Sequence, residues 1–385
     1  MNTKRRAYAT LIGLASIVGT IALWSAGEPA GAAKYAGGAS VTTIANGLNN
    51  PRGLNFAPDG ALMVAEAGSG GAGPCGPGPE GDRCFGESGS ITRIDRNTGS
   101  VTRTLTRIPS LATPDGSFAT GVHDISFQGF GNIFVTTGFA GDPADRALNF
   151  GAGGQNFARL AKINASGKWS LTQDLGEYEA QNNPTGDEVD SNPYGVLALA
   201  GKTIYTDAGG NSLNQVSAKG SIRTLAIFPN REVPAPPFLD LPPGTLIPMD
   251  TVPTSVAEGP DGNYYVGQLT GFPFPVDDAN VYRVPANGGP AEVSAGGFTA
   301  VIDVAFGADG SMYVLELAKN GLLAAFEEGD WTGALICIAS DGTRTEIAEG
   351  MLTAPGGLAI GIDGALYVTN NSIFSGTGQV LRIAQ

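Results

Sequence analysis

A stretch of eighteen residues, PRGLNFAPDGALMVAEAG at 51–68, recurs along the chain and fixes what the chain can fold into. It reads as two short strands of alternating apolar residues, 53–57 and 61–66, joined by Pro58-Asp59-Gly60. Asp-Gly suits a tight hairpin because both residue types tolerate positive φ. Clear copies lie at 253–271, 301–318 and 355–372, and degenerate ones at 122–139 and 193–210. A second strand–turn–strand unit follows each of the first five, beginning at 90–95 and 100–107. Every repeat is therefore a four-stranded antiparallel meander. The shortest spacing between successive inner turns, 48 residues, is close to the length of one propeller blade.

The sixth repeat stops after its third strand, 378–385. The unpartnered segment 41–48, VTTIANGL, can supply the fourth. The expectation is an all-β, six-bladed β-propeller closed by its N-terminal strand, because pairing the first and last segments removes an exposed edge. Composition agrees: 58 glycines and 25 prolines in 385 residues suit short strands joined by turns. One domain is expected over residues 34–385.

Residues 1–33 carry Lys4, Arg5 and Arg6, then an apolar run over 7–24, then Ala30-Gly31-Ala32. That is the layout of an export signal; retention as a membrane anchor is the alternative. Cleavage would remove three basic residues and Glu28 and take the formal charge from −14 to −16. So acidic a chain repels phosphate backbones, which excludes nucleic acid as a natural partner. The expected location is outside the cell or in its envelope, as a monomer with no membrane span after signal removal. There, Cys75 and Cys84 in a Gly/Pro-rich loop read as a disulfide, a metal pair being the alternative. Cys337 reads as a small buried hydrophobe.

The first and third turns of each repeat are short. The long insertions all fall on the opposite side: 69–88, 140–157, 272–278 and 319–332 between middle strands, and 177–192 and 230–252 between blades. Loops elaborated on one side of a rigid scaffold usually carry function, so that face is the expected working face. Aligned second strands end there with Glu66, Thr137, Ala208, Gln268, Glu316 and Asn370, with Asp207 one place earlier in its blade. The first strands begin there with Arg52, His123, Tyr194, Thr254, Ile302 and Gly356. The expectation is that these side chains converge at the channel mouth, with Glu66, His123, Tyr194, Asp207, Gln268, Glu316 and Asn370 binding a ligand. Glu66, Asp207, Glu316 and Asn370 are oxygen donors suited to Ca²⁺; the plain alternative is that a wet rim simply collects polar residues. His123 stands beside Asp124, but strand neighbours point to opposite sides and do not make an oriented acid–base pair.

Several motifs are rejected. GVLALAGKT at 195–203 has five residues between its glycines where a phosphate loop needs four, and no G-x-S-x-G nucleophile elbow is present. The acidic connection 177–192 lacks a Ca²⁺-loop pattern and reads as solvated; the Pro-rich segment 233–248 reads as an extended strap. The wording of the repeats, NPRGLNFAPDGALMVAEAG, then GESGSITRI, NPYGVLAL, VPTSVAEGPDGNYYVGQLTGFPFP and GTGQVLRI, resembles the secreted ScyD/ScyE-type proteins associated with scytonemin biosynthesis. More distantly, the hairpins are similar to NHL and lactonase-type six-bladed propellers. The resemblance implies an exported propeller linked to extracellular pigment or secondary-metabolite assembly, without a settled reaction. Three functions stand: a propeller that binds a small ligand or protein partner on the long-loop face, a Ca²⁺-dependent lactonase or hydrolase, or a purely structural envelope protein.

Overall fold

Ser40–Leu48 pairs antiparallel with Gly378–Ala384, so the ring is closed as expected. The computed structural model describes residues 39–384 apart from 130, 165 and 166, together with the backbone pair Ala33–Lys34. The export segment expected over 1–33 lies outside the described residues, save for the backbone of Ala33. Blade 6 consists of Gly357–Ile360, Leu366–Asn370, Gly378–Ala384 and Ser40–Leu48. Blades 1 to 5 start at Pro51–Phe56, Val122–Gln128, Pro193–Leu199, Pro253–Glu258 and Val301–Phe306. These first strands neighbour one another in an unbroken cycle around the axis.

The hairpin turns differ from the expectation in one respect. Ala57 and Ala61 are bonded N–H to O, and Gly60 N donates back to Ala57 O. Only the glycine takes positive φ (Gly60 +84°, Gly262 +73°, Gly310 +84°, Gly364 +74°). The loop therefore has three residues, and the aspartate acts through its side chain: Asp59, Asp261 and Asp309 each accept the N–H two residues on.

Each blade is covered on both faces by its neighbours, which explains the apolar second strands. The equivalent side chains Val64, Val135, Thr206, Val266, Val314 and Val368 are all 2% exposed or less. Burying one such aliphatic side chain stabilises the fold by about 1.5–3 kcal/mol. The GVLALAGKT segment lies in the hairpin of Pro193–Leu199 and Lys202–Asp207, as the repeat requires.

The insertions build the long-loop face. They contain α1 (Asp145–Gly154), α2 (Leu175–Asn182) and α3 (Leu322–Glu328), and a loop closed by the Cys75–Cys84 disulfide. The Pro-rich segment is not an extended strap: Arg231–Pro234 and Leu246–Met249 pair with each other. Nor is the acidic connection wholly solvated, since Glu179 on α2 is 2% exposed. Cys337 is a free, half-buried thiol. No described helix is long and apolar enough to cross a membrane.

Candidate ligand site at the channel mouth

The first residues of the inner strands meet at the axis on the long-loop side. The rings of His123 and Tyr194 lie 4.5 Å apart, and His123 Nδ1 is 3.1 Å from Pro193 O. Desolvation, helped by the nearby Arg52 charge, lowers the His123 pKa to about 3, so the imidazole is neutral. A Cβ on Gly138 would stand 2.0 Å from His123 Cε1, which is why this position carries no side chain. Arg52, itself buried, donates from Nη2 to Ala119 O. Its Nε and the Tyr194 hydroxyl are both buried and have no hydrogen-bond partner among the described residues. The two groups are near enough for Arg52 to oppose the rise that burial gives the Tyr194 pKa.

Beside them lie two residues that the repeat pattern could not reveal, because they sit in the blade-1 insertion. Arg83 is 1% exposed and donates to Thr120 Oγ1, Phe139 O, Pro77 O and Ala140 O. Glu80 is solvent-accessible at the tip of the same disulfide-closed loop. Desolvation raises its pKa against the pull of Arg83 and Arg52.

One step deeper, the six equivalent positions are Gly53, Asp124, Gly195, Ser255, Asp303 and Gly357. Asp124 and Asp303 belong to blades 2 and 5, opposite each other in the ring. Each accepts its following residue's N–H and the N–H of the next blade, Val196 or Leu358. A Cβ on Gly53 would come within 2.0 Å of Asp124 Oδ1, so glycine makes room for the carboxylate. Desolvation pushes Asp124 up to about 8, with Asp303 adding repulsion, and Asp303 up to about 7. They line a cavity of about 330 Å³ with Asn55, Ser126 and Glu258 on the tight-turn side. Asp303 was legible as the partner of Asp124 once the first strands were aligned.

The ends of the second strands do not converge. Glu66 takes hydrogen bonds from Asn49 N, Ser90, Thr92 and Arg103. Asp207 accepts from Ser191 and from the N–H groups of Asn192 and Gly210. Glu316 accepts Thr299 N, Asn370 accepts Thr353 N, and Gln268 Oε1 accepts from Asn280 and Tyr282. The second strand stands one strand spacing away from the axis, and its side chains face adjoining blades or connectors. So Glu66, Asp207, Glu316 and Asn370 are spread around the ring as blade braces. Among the described residues no three His, Cys, Asp or Glu side chains gather in a way that could hold a metal ion. Of the seven expected ligand residues, His123 and Tyr194 are brought together.

No family model matches the chain, and neither does any curated protein, so the ScyD/ScyE resemblance gains no support. Solved structures do match in fold. A putative gluconolactonase is 12% identical, with TM-score 0.51, over 91% of this chain and 94% of its own. A gluconolactonase of Xanthomonas campestris is 10% identical, with TM-score 0.51, over 90% of each chain. A putative glucose dehydrogenase of Thermus thermophilus is 16% identical, with TM-score 0.51, over 90% and 100%. At these identities the likeness establishes the six-bladed propeller fold.

Proposed function

We propose that this protein binds a small polar ligand at the long-loop mouth of the channel, through Arg52, Tyr194 and His123. One observation carries the reading: Arg52 Nε and Tyr194 Oη are buried near each other, and neither has a hydrogen-bond partner among the described residues. An unmade hydrogen bond at a buried group costs about 1–3 kcal/mol, and such exceptions concentrate where a ligand completes the set. Action outside the cytoplasm fits the disulfide, which persists in oxidising compartments. The link to pigment assembly rests on the sequence resemblance alone. A library of small polar molecules screened by ligand-observed NMR is expected to give hits that Arg52→Met and Tyr194→Phe remove. Hits indifferent to both substitutions would place the ligand elsewhere.

The Ca²⁺-dependent alternative meets a chemical obstacle. Its four proposed donors serve separate blades and already accept internal hydrogen bonds, so they do not fit one ion. Hydrolysis without that ion keeps one supporting feature, the accessible Glu80 carboxyl, whose raised pKa suits an acid or base. Lactone turnover that survives a chelator and is lost in Glu80→Gln would replace the binding reading with this one.

A further inference from the structure

We propose that the mouth takes the carboxylate of a small amphipathic acid on Arg52, and that Glu80 is the resident carboxylate which the ligand displaces. This rests on reading the mouth as a ligand site and names what it selects.

The first ground is charge. The chain is acidic, at −14, yet two buried guanidinium groups stand at the axis, Arg52 at 8% and Arg83 at 1% exposure. Among the described residues neither makes a salt bridge. A buried cation without a paired anion is costly, and it favours whatever anion can reach it. The two arginines divide the work. Arg83 has both terminal nitrogens engaged by carbonyl and hydroxyl oxygens and is flanked by the Phe139 and Phe150 rings, each 5.8 Å away. It contributes field and no free fork. Arg52 donates from Nη2 to Ala119 O, its buried Nε meets no acceptor among the described residues, and it so keeps a donor for a carboxylate.

The second ground is Glu80. Its loop is pinned at both ends by Cys75–Cys84 and at Pro77 O by Arg83. Glu80 is near enough for the charges of both Arg83 and Arg52 to act on its carboxyl, and among the described residues no hydrogen bond joins it to either. A counter-ion held near the site and not locked onto it can be exchanged.

The third ground is the apolar packing around Tyr194. Tyr194 packs against an apolar cluster that includes Ile302 of blade 5 and Phe118, the second residue before Thr120 and adjacent to Ala119. Phe118 lies 5.9 Å from both Phe326 and Trp331, and Trp331 lies 6.4 Å from Phe374. A cation near Tyr194 and its apolar packing favours a ligand with one anionic head and an apolar body.

Isothermal titration of the oxidised protein near neutral pH, with phenylacetate and its neutral isostere phenylacetamide, tests this. Phenylacetate is expected to bind at least tenfold tighter than the amide. Glu80→Gln should tighten phenylacetate about tenfold and leave the amide unchanged, while Arg52→Met abolishes the preference. Because Glu80 is on an accessible loop, its substitution leaves the fold intact even if Arg52→Met does not. Equal affinity for the two probes, no binding of phenylacetate to either protein, or a Glu80→Gln variant with unchanged or weaker carboxylate binding would overturn the inference. If both probes bind equally and Tyr194→Phe weakens both, the mouth remains a ligand site without anion preference. If Tyr194→Phe affects neither, the reading of the mouth falls too.

Discussion

Among the described residues Asp124 and Asp303 make no salt bridge; each is held by two backbone N–H groups in a confined channel. Their raised folded-state pKa values have a definite sign in stability. The folded protein keeps protons that the unfolded chain releases above its ordinary carboxylate value, so stability falls as pH rises towards about 8. His123 works the other way. Its pKa of about 3 means stability is lost as pH drops below the unfolded value near 6.5. Between pH 6.5 and 8.5 only the carboxylate effect of these three remains. Calorimetry is expected to show the melting temperature declining across that window, with Asp124→Asn, which mimics the protonated acid, flattening the decline. An unchanged slope in the variant would assign the dependence to other groups.

At the scale of elements, the end of the second strand holds side chains that the sequence reading set at the channel mouth and that bond to connectors. Glu66, Asp207, Glu316 and Asn370 occupy equivalent places because each ties its blade to the segment leading into the first strand, at Asn49, Asn192, Thr299 and Thr353. A repeat alignment shows which residues are equivalent; it does not show whether their side chains point inward or along the ring. Glu66→Ala would strand Asn49 N and Arg103 beside a fully buried gap, and is expected to cost about 3 kcal/mol in urea denaturation. Glu66→Gln, which keeps the shape, should cost less. A loss for Glu66→Ala below about 1 kcal/mol would show that the brace is not structural. The insertions were harder still to read. Glu80 and Arg83 have no counterparts in other blades, so periodicity carried no information about them.

For the whole molecule, blade count and closure were legible because six apolar hairpins and one spare strand leave few other ways to remove every edge. Closure has a direct test. Deleting 39–48 is expected to abolish soluble monomer, whereas moving the same segment to follow residue 385 through a short linker should restore cooperative unfolding. Failure of the relocated form to fold would mean that the segment does more than complete blade 6. The partners in that last sheet, Ser40–Leu48 and Gly378–Ala384, come from opposite ends of the described chain. During synthesis the earliest β-segment must therefore wait, unpaired, until the final one emerges. Five blades can form in succession, but the circle locks only at the end, so its assembly is governed by the longest loop closure available to it.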